Sequence, residues 1–411
     1  MIKKFLGSLF FAWIFLFTQI VSAADFETAT EVVKNISAKY YAKAKIRAFE
    51  FVELRTFSDH GENHAATVAV KSQEAADAIE RAGLGNPYYS SIDRLELQVA
   101  ALIHDTGMDG GNFKTYTDGN ALRKEHSLNS AIHVLENREV LEALGVNVDM
   151  VALDCMAHSK SCSDIRDLTS HEQWTDCFNR IDDAVKLYNK KYPAAQIYFD
   201  KSTWTNGETY RKPSEKNPKQ FVDIYKFNRE TFARSAATIA AIRIGDANRE
   251  ASQIPYSQGG ELILIDFDSY VSPAKNWLEE IAKAKIFLRN VNTGVETSLL
   301  SGIDKSGYGR MYMAGEGNLS MSCEYNSKSN SVREVLTVFN GKSFPLSTQN
   351  CIEERLGELD TIKKFPVEAH IKIVGEYSKS DKKKISRMYS RYCKDATRKY
   401  QFPVTFEFVN K

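Results

Sequence analysis

Ala101-Leu102-Ile103-His104-Asp105-Thr106-Gly107-Met108 is the stretch on which the fold turns. It closes an apolar run that starts at Ile92 and holds no helix breaker, so a helix is expected from Ile92 to His104. Neighbouring residues on a regular helix point about 100° apart. His104 and Asp105 can therefore face one centre only where the helix stops. Gly107 supplies that stop, and Asp109-Gly110-Gly111-Asn112 continues as a loop. An Asp that merely ends a helix beside a core histidine is the plain alternative.

Outward from this stretch the helical period persists. Apolar positions at helix spacing run from Ala29 to Ala44 and from about Asn63 to Ala82, where Gly83, Gly85, Asn86 and Pro87 break the pattern. Further helices are expected over Leu122–Leu144, with Gly145 as the stop, over Val148–His158, and over His171–Tyr192 before Pro193. Residues 194 to 219 are rich in Lys, Asn, Ser, Thr and Pro and read as an exposed insertion or lid-like loop. Helix is expected again from about Val222 to Asn248 and from Trp277 to Leu288.

Near residue 290 the period changes. Gly315, Gly317, the strand-like Val335–Phe339 and Asn340-Gly341 suggest hairpins; Ala369–Val374 and Val404–Val409 alternate like half-buried strands. Cys351–Leu359 and Lys382–Lys399 read as helices. The expected fold class is mainly α: a helical bundle over residues 24–289, followed by a smaller α+β domain of unknown role over residues 290–411.

Seven of the eight histidines fall between residues 60 and 171. The ordered series His64, His104-Asp105, His126, His158 and Asp246 is placed in or at the end of expected helices. Imidazole nitrogen and carboxylate oxygen are natural donors for Zn, Mn or Fe. A mixed set of this kind can leave a coordination position for water and lower its pKa, and a carboxylate can bridge two ions. His60, four residues before His64, competes with it for the same helix face. Asp246 has a plainer reading as a partner of Arg243. His133 reads as a satisfied, partly buried histidine, His171 as solvated in the first turn of a helix, and Cys155 as a small buried residue, with a soft thiolate ligand as the alternative. Arg123, Lys160 and Glu62 are candidates for phosphate or metal contact, against the ordinary reading of solvated charges.

The order and context of these residues resemble the HD-domain superfamily of metal-dependent phosphohydrolases. The resemblance rests on the 101–108 segment, on Lys124-Glu125-His126 with Ser130, on Ala157-His158-Ser159 and on Arg243-Ile244-Gly245-Asp246-Ala247, with His64 as the first ligand. It covers roughly residues 40 to 250. It implies an HD-type helical bundle with His64, His104, Asp105, His126, His158 and Asp246 as metal ligands. Asp105, His126 and His158 are implied to act in catalysis. The cofactor would be one or two divalent transition metal ions, and the substrate a small phosphate-containing molecule. There is no Gly-Tyr-Pro segment, no second histidine at 159, and Met108 stands where the cyclic-dinucleotide subgroup has lysine. Hydrolysis of a phosphomonoester, phosphodiester or nucleotide is therefore the expectation. A catalytically silent metal- or ligand-binding sensor, or an envelope interaction protein, is the alternative.

The amino terminus bears on the compartment. Lys3 and Lys4 precede an apolar run from Phe5 to Phe17, and Val21-Ser22-Ala23 offers small residues for cleavage after Ala23. Export with a signal peptide at residues 1–23 is expected, with an uncleaved anchor as the alternative and no stable membrane span in the mature chain. The whole chain of 411 residues carries a formal net charge of +1, and loss of Lys3 and Lys4 leaves −1. No basic excess exists to drive duplex nucleic-acid binding. In an oxidising compartment Cys155, Cys162, Cys177, Cys323, Cys351 and Cys393 favour disulfides. Their spacing does not choose the pairing.

Overall fold

The computed structural model describes residues 26–47, 50–51, 54, 60–83, 91–159, 165–246, 261–266, 285–290, 296–298, 319–339, 346–362 and 366–410. The architecture is mainly α with an α+β C-terminal part. Helix α1 spans residues 26–47. It is followed by α2 (Glu62–Gly83), α3 (Arg94–Ile103), α4 (Gly119–Glu136), α5 (Arg138–Ala143), α6 (Val148–Ala157), α7 (His171–Lys191) and α8 (Arg229–Asp246). Side chains with no better use in a helix interior open several of them. Asp93 accepts from the Leu95 and Glu96 amides, Asp118 from Ala121, Asn147 from Met150 and Ser170 from Gln173. The expected single helix over Leu122–Leu144 is broken at Asn137, and Gly145 ends α5 with a positive φ of 83°.

Helices α2, α3, α4, α6 and α8 pack on one another around Val68, Leu97, Ile103, Ile132, Met150 and Ile239, all buried. Helix α1 closes one side, where the Tyr41 hydroxyl donates to the Leu102 carbonyl at 2.8 Å. Among the described residues no helix is long and apolar enough to cross a membrane.

Two expected helices give way to strands. Residues 222–225 belong to β2 (Phe221–Tyr225), antiparallel to β1 (Thr209–Pro213), so the polar insertion carries a hairpin and α8 starts only at Arg229. Residues 285–288 belong to β4 (Lys285–Asn290), which lies between β3 (Glu261–Asp266) and β5 (Glu296–Ser298). The rest of the expected 277–288 helix lies outside the described residues, as do Gly315, Gly317 and Asn340-Gly341.

The C-terminal sheet has the order β6 (Leu319–Asn326), β7 (Ser331–Phe339), β8 (Val367–Val374), β9 (Val404–Val409). Strands β6 and β7 form an antiparallel hairpin; β8 and β9 run parallel to β7. The parallel steps need crossovers, which α9 (Leu346–Asp360) and α10 (Lys379–Tyr400) supply. Strands β6 and β7 lie against α2. The helical part and the sheet thus share one apolar core, in which Val68 and Ile79 join Val332 and Leu336.

Candidate metal centre

The chain leaves helical geometry one residue at a time around His104. His104 still has φ −51° and ψ −32°, but Asp105 has φ −106° and ψ 2° and begins the short 3-10 turn Thr106–Asp109. This change of direction lets both side chains face the same centre. Gly107 makes the arrangement possible. A Cβ there would lie 1.9 Å from the His126 carbonyl oxygen and 2.5 Å from the Ser130 amide nitrogen, so only glycine lets the turn rest on α4. The Gly107 amide donates to Ser130 Oγ at 2.8 Å, and Asn129 Nδ2 donates to the Gly107 carbonyl at 3.1 Å. Gly245 plays the same part where α8 crosses α2: its Cβ would lie 2.8 Å from the Ser72 amide and 2.9 Å from the Val68 carbonyl.

These approaches bring together all six residues singled out in the sequence as ligands. Asp105 Oδ2 lies 3.0 Å from His104 Nε2 and 3.3 Å from His64 Nε2. Asp105 Oδ1 lies 3.0 Å from His126 Nε2 and 3.4 Å from His158 Nε2. Asp246 Oδ1 lies 3.1 Å from His64 Nε2 and 3.5 Å from His104 Nε2. Two donor groups result, His64–His104–Asp105–Asp246 and Asp105–His126–His158, sharing the Asp105 carboxylate. Five of the six residues are buried, and Asp246 keeps 24% of its side chain exposed, which opens the cluster on that side.

The imidazoles are oriented from behind. The Nδ1 atoms of His104, His126 and His158 face the carbonyls of Ala101, Arg123 and Cys155, each three residues earlier. An Nδ1–H donated to a carbonyl leaves Nε2 with a bare lone pair aimed at the centre, the tautomer a metal requires. His104 Nε2 and both Asp105 oxygens are buried without a hydrogen-bond partner despite contacts of 3.0–3.4 Å. His126 Nε2 and His158 Nε2 lie 3.1 Å apart, within hydrogen-bond distance of each other. Buried polar atoms converging without hydrogen bonds are costly unless a cation lies among them. The donor set, mixed nitrogen and carboxylate oxygen, fits a divalent ion, and these buried His/Asp groups can hold one.

Electrostatics agree in direction. Burial opposes charge on every group, yet the facing carboxylates Asp105 and Asp246 lift His64 to about 8 and His104 to about 10. Burial likewise opposes both carboxylates, which the histidines hold well below the ordinary carboxylate range. His60, its ring centroid 5.1 Å from that of His64, is pushed down to about 4 by burial. His64 belongs to the first donor group, and His60 stands beside it.

The other named residues fall elsewhere. Arg243 does not pair with Asp246. It is buried and donates to the carbonyls of Ala157, at 2.9 and 2.7 Å, and of Ile165, at 2.6 Å, bracing the end of α6 next to His158. His133 is fully buried, stacks on Tyr40 with ring centroids 3.8 Å apart and meets Thr106 Oγ1 at 3.2 Å, but it is not fully satisfied: its Nε2, 3.4 Å from Asp109 Oδ1, has no hydrogen-bond partner. His171 is not solvated: its ring packs against Phe232 and Phe227. Cys155 points its thiol at the Ala100 carbonyl, and burial pushes its pKa up, so it stays a thiol. Glu62 is exposed and outside both donor groups. Cys155, Cys323 and Cys393 form no disulfide. Lys160, Cys162 and residues 1–25 lie outside the described residues, and so does the Cys351 side chain. No family model, curated protein or solved structure matches the chain.

Proposed function

We propose that this chain is a metal-dependent phosphohydrolase of the HD type, holding two divalent transition ions of the Zn, Mn or Fe class. One observation carries the reading: the Asp105 carboxylate is shared by two donor groups, each completed by histidines whose Nδ1 or neighbouring carboxylate fixes their direction. His64, His104 and Asp246 would complete one site with Asp105, and His126 and His158 the other.

Bound there, divalent ions lower the pKa of water and neutralise charge on phosphoryl oxygens. The residues of the chain supply the rest. Asp105 and Asp246 contribute two negative charges, while imidazoles in the ligand tautomer contribute none. Two divalent ions therefore leave a net positive site, matched to an anionic phosphate ester. Asp246, on the exposed side, marks where substrate would enter. His126 and His158, anchored through Nδ1, keep Nε2 fixed against Asp105. The amino-terminal apolar segment is proposed to direct export, with cleavage after Ala23.

The test is metal analysis of purified protein together with turnover of p-nitrophenyl phosphate, bis-p-nitrophenyl phosphate and nucleotides. Metal with turnover, lost on chelation and restored by Mn2+ or Zn2+, is the expected result. Metal without turnover on any of these selects the silent binding module instead. Protein that takes up no divalent ion refutes the reading.

A further inference from the structure

A side chain of the C-terminal part, Arg355, reaches the end of α8 two residues before Asp246. Arg355 on α9 and Glu334 on β7 are both buried. Arg355 Nε donates to Glu334 Oε1 at 2.7 Å and Nη2 to Oε2 at 2.8 Å, a two-point grip that fixes the guanidinium plane. The same Nη2 donates at 2.9 Å to the carbonyl of Ile244. Ile244 lies in the last turn of α8, where carbonyls have no partner within the helix and a positive charge is favoured. Two residues further on is Asp246. The sheet also touches the helix that carries the facing ligand, since β6 and β7 lie against α2, which bears His64. The helices that carry His64 and Asp246, whose side chains lie 3.1 Å apart, are thus both contacted by the C-terminal part. His126 and His158 sit on α4 and at the end of α6, within the helical bundle.

We propose that the C-terminal α+β part sets the affinity of the His64–His104–Asp105–Asp246 site, with Arg355 as the positioning residue that fixes the end of α8. This rests on the metal reading above. The Glu334–Arg355 pair transmits the position of the sheet to Asp246; the second group shares Asp105 with the first but takes its own histidines from α4 and the end of α6. A part of the chain whose described residues join neither donor group thereby controls one of two ions.

The experiment is titration of the metal-free full chain with Co2+, read by calorimetry and by the visible spectrum of the bound ion. The main variant is Glu334→Leu/Arg355→Met, which removes both buried charges together and leaves neither orphaned. Arg355→Lys is the second variant. It keeps a cation for Glu334, but an ammonium cannot span both carboxylate oxygens and the Ile244 carbonyl in one plane. In each variant one of the two Co2+ affinities is expected to fall, by roughly tenfold or more in the double variant, as outer residues of metal sites do. The other affinity is expected to fall clearly less. Asp246→Asn should weaken the same ion, and the loss should persist in a His126→Ala background, where only the first donor group is complete. Unchanged affinities in either variant, or equal loss at both ions, overturn the inference while leaving the metal reading intact. Wild-type protein that binds no Co2+ overturns the metal reading itself.

Discussion

Asp105→Ala removes one residue from two donor groups at once. In the wild type its two oxygens face four imidazole Nε2 atoms at 3.0–3.4 Å. Without it the first group falls to His64, His104 and Asp246, and the second to His126 and His158 alone. Two neutral imidazoles make a poor site for a divalent ion, so bound metal should drop from two ions per chain to one or fewer. Turnover should fall by on the order of a thousandfold or more, equivalent to about 4 kcal/mol of lost transition-state stabilisation. Stability offers a separate measure. An ion at about a hundred times its Kd stabilises the fold by about 2.7 kcal/mol. At roughly 2 °C per kcal/mol for a chain of this size, two such ions raise Tm by on the order of 10 °C. Most of that metal-dependent rise should vanish in the variant. The assay is metal content, phosphoesterase rate, and Tm with and without chelator, for both proteins side by side. If Asp105 only ended a helix, its replacement would cost about 1 kcal/mol and spare metal and rate. Full loading with an unchanged rate and an unchanged metal-dependent Tm rise would refute the role assigned to it.

Gly107→Ala should destabilise the fold by about 1–3 kcal/mol in urea denaturation, because its Cβ would meet the His126 carbonyl at 1.9 Å. It should also weaken metal at the His126–His158 group, and a variant of wild-type stability would show that the turn does not rest on α4. Metal binding at pH 7 should release protons, because the facing carboxylates hold His64 and His104 up to about 8 and about 10 against burial. Affinity should therefore weaken as pH falls and protons compete for the same Nε2 atoms; calorimetry in buffers of different ionisation enthalpy that finds no proton release would contradict this.

The helical part was legible because burial of one helix face writes a 3.6-residue period into the sequence. The limits of α2, α3 and α6 follow from breakers and caps close to where they were expected. The strands at Phe221–Tyr225 and Lys285–Asn290 were not legible. Val222-Asp223-Ile224 runs directly towards the apolar positions of α8, and Lys285-Ile286-Phe287-Leu288 is a short apolar run that suits either period. The decision falls to pairing partners, β1 for the first strand and β3 and β5 for the second. The β6–β7 hairpin turns between Asn326 and Ser331, where Asn330 adopts φ 51°.

The residues of the two donor groups were legible for a local reason. A histidine at or near a helix end finds a carbonyl three residues back for its Nδ1, and the sequence places His104 and His158 where α3 and α6 stop. The orientation of His104, His126 and His158 is therefore built within a single turn of chain, whereas His64 Nδ1 has no such carbonyl partner. What holds the ligands in mutual register is not local. Arg243 has Asp246 three residues away, the spacing at which side chains on one helix face meet, yet it reaches across 86 residues to the Ala157 carbonyl. Arg355 reaches across 111 residues to Ile244. Both arginines grip carbonyls in the last turns of helices that end in a ligand, where spare acceptors and the negative end of the helix dipole favour a guanidinium. Neither reveals itself in spacing, because the acceptor is a main-chain oxygen that any residue would present. A buried arginine bound to a helix-terminal carbonyl thus fixes where a ligand stands without touching the ligand. The consequence is physical as well as diagnostic: substitutions at Arg243 should disturb His158, and those at Arg355 should disturb Asp246, so the two donor groups can be perturbed one at a time from outside the cluster.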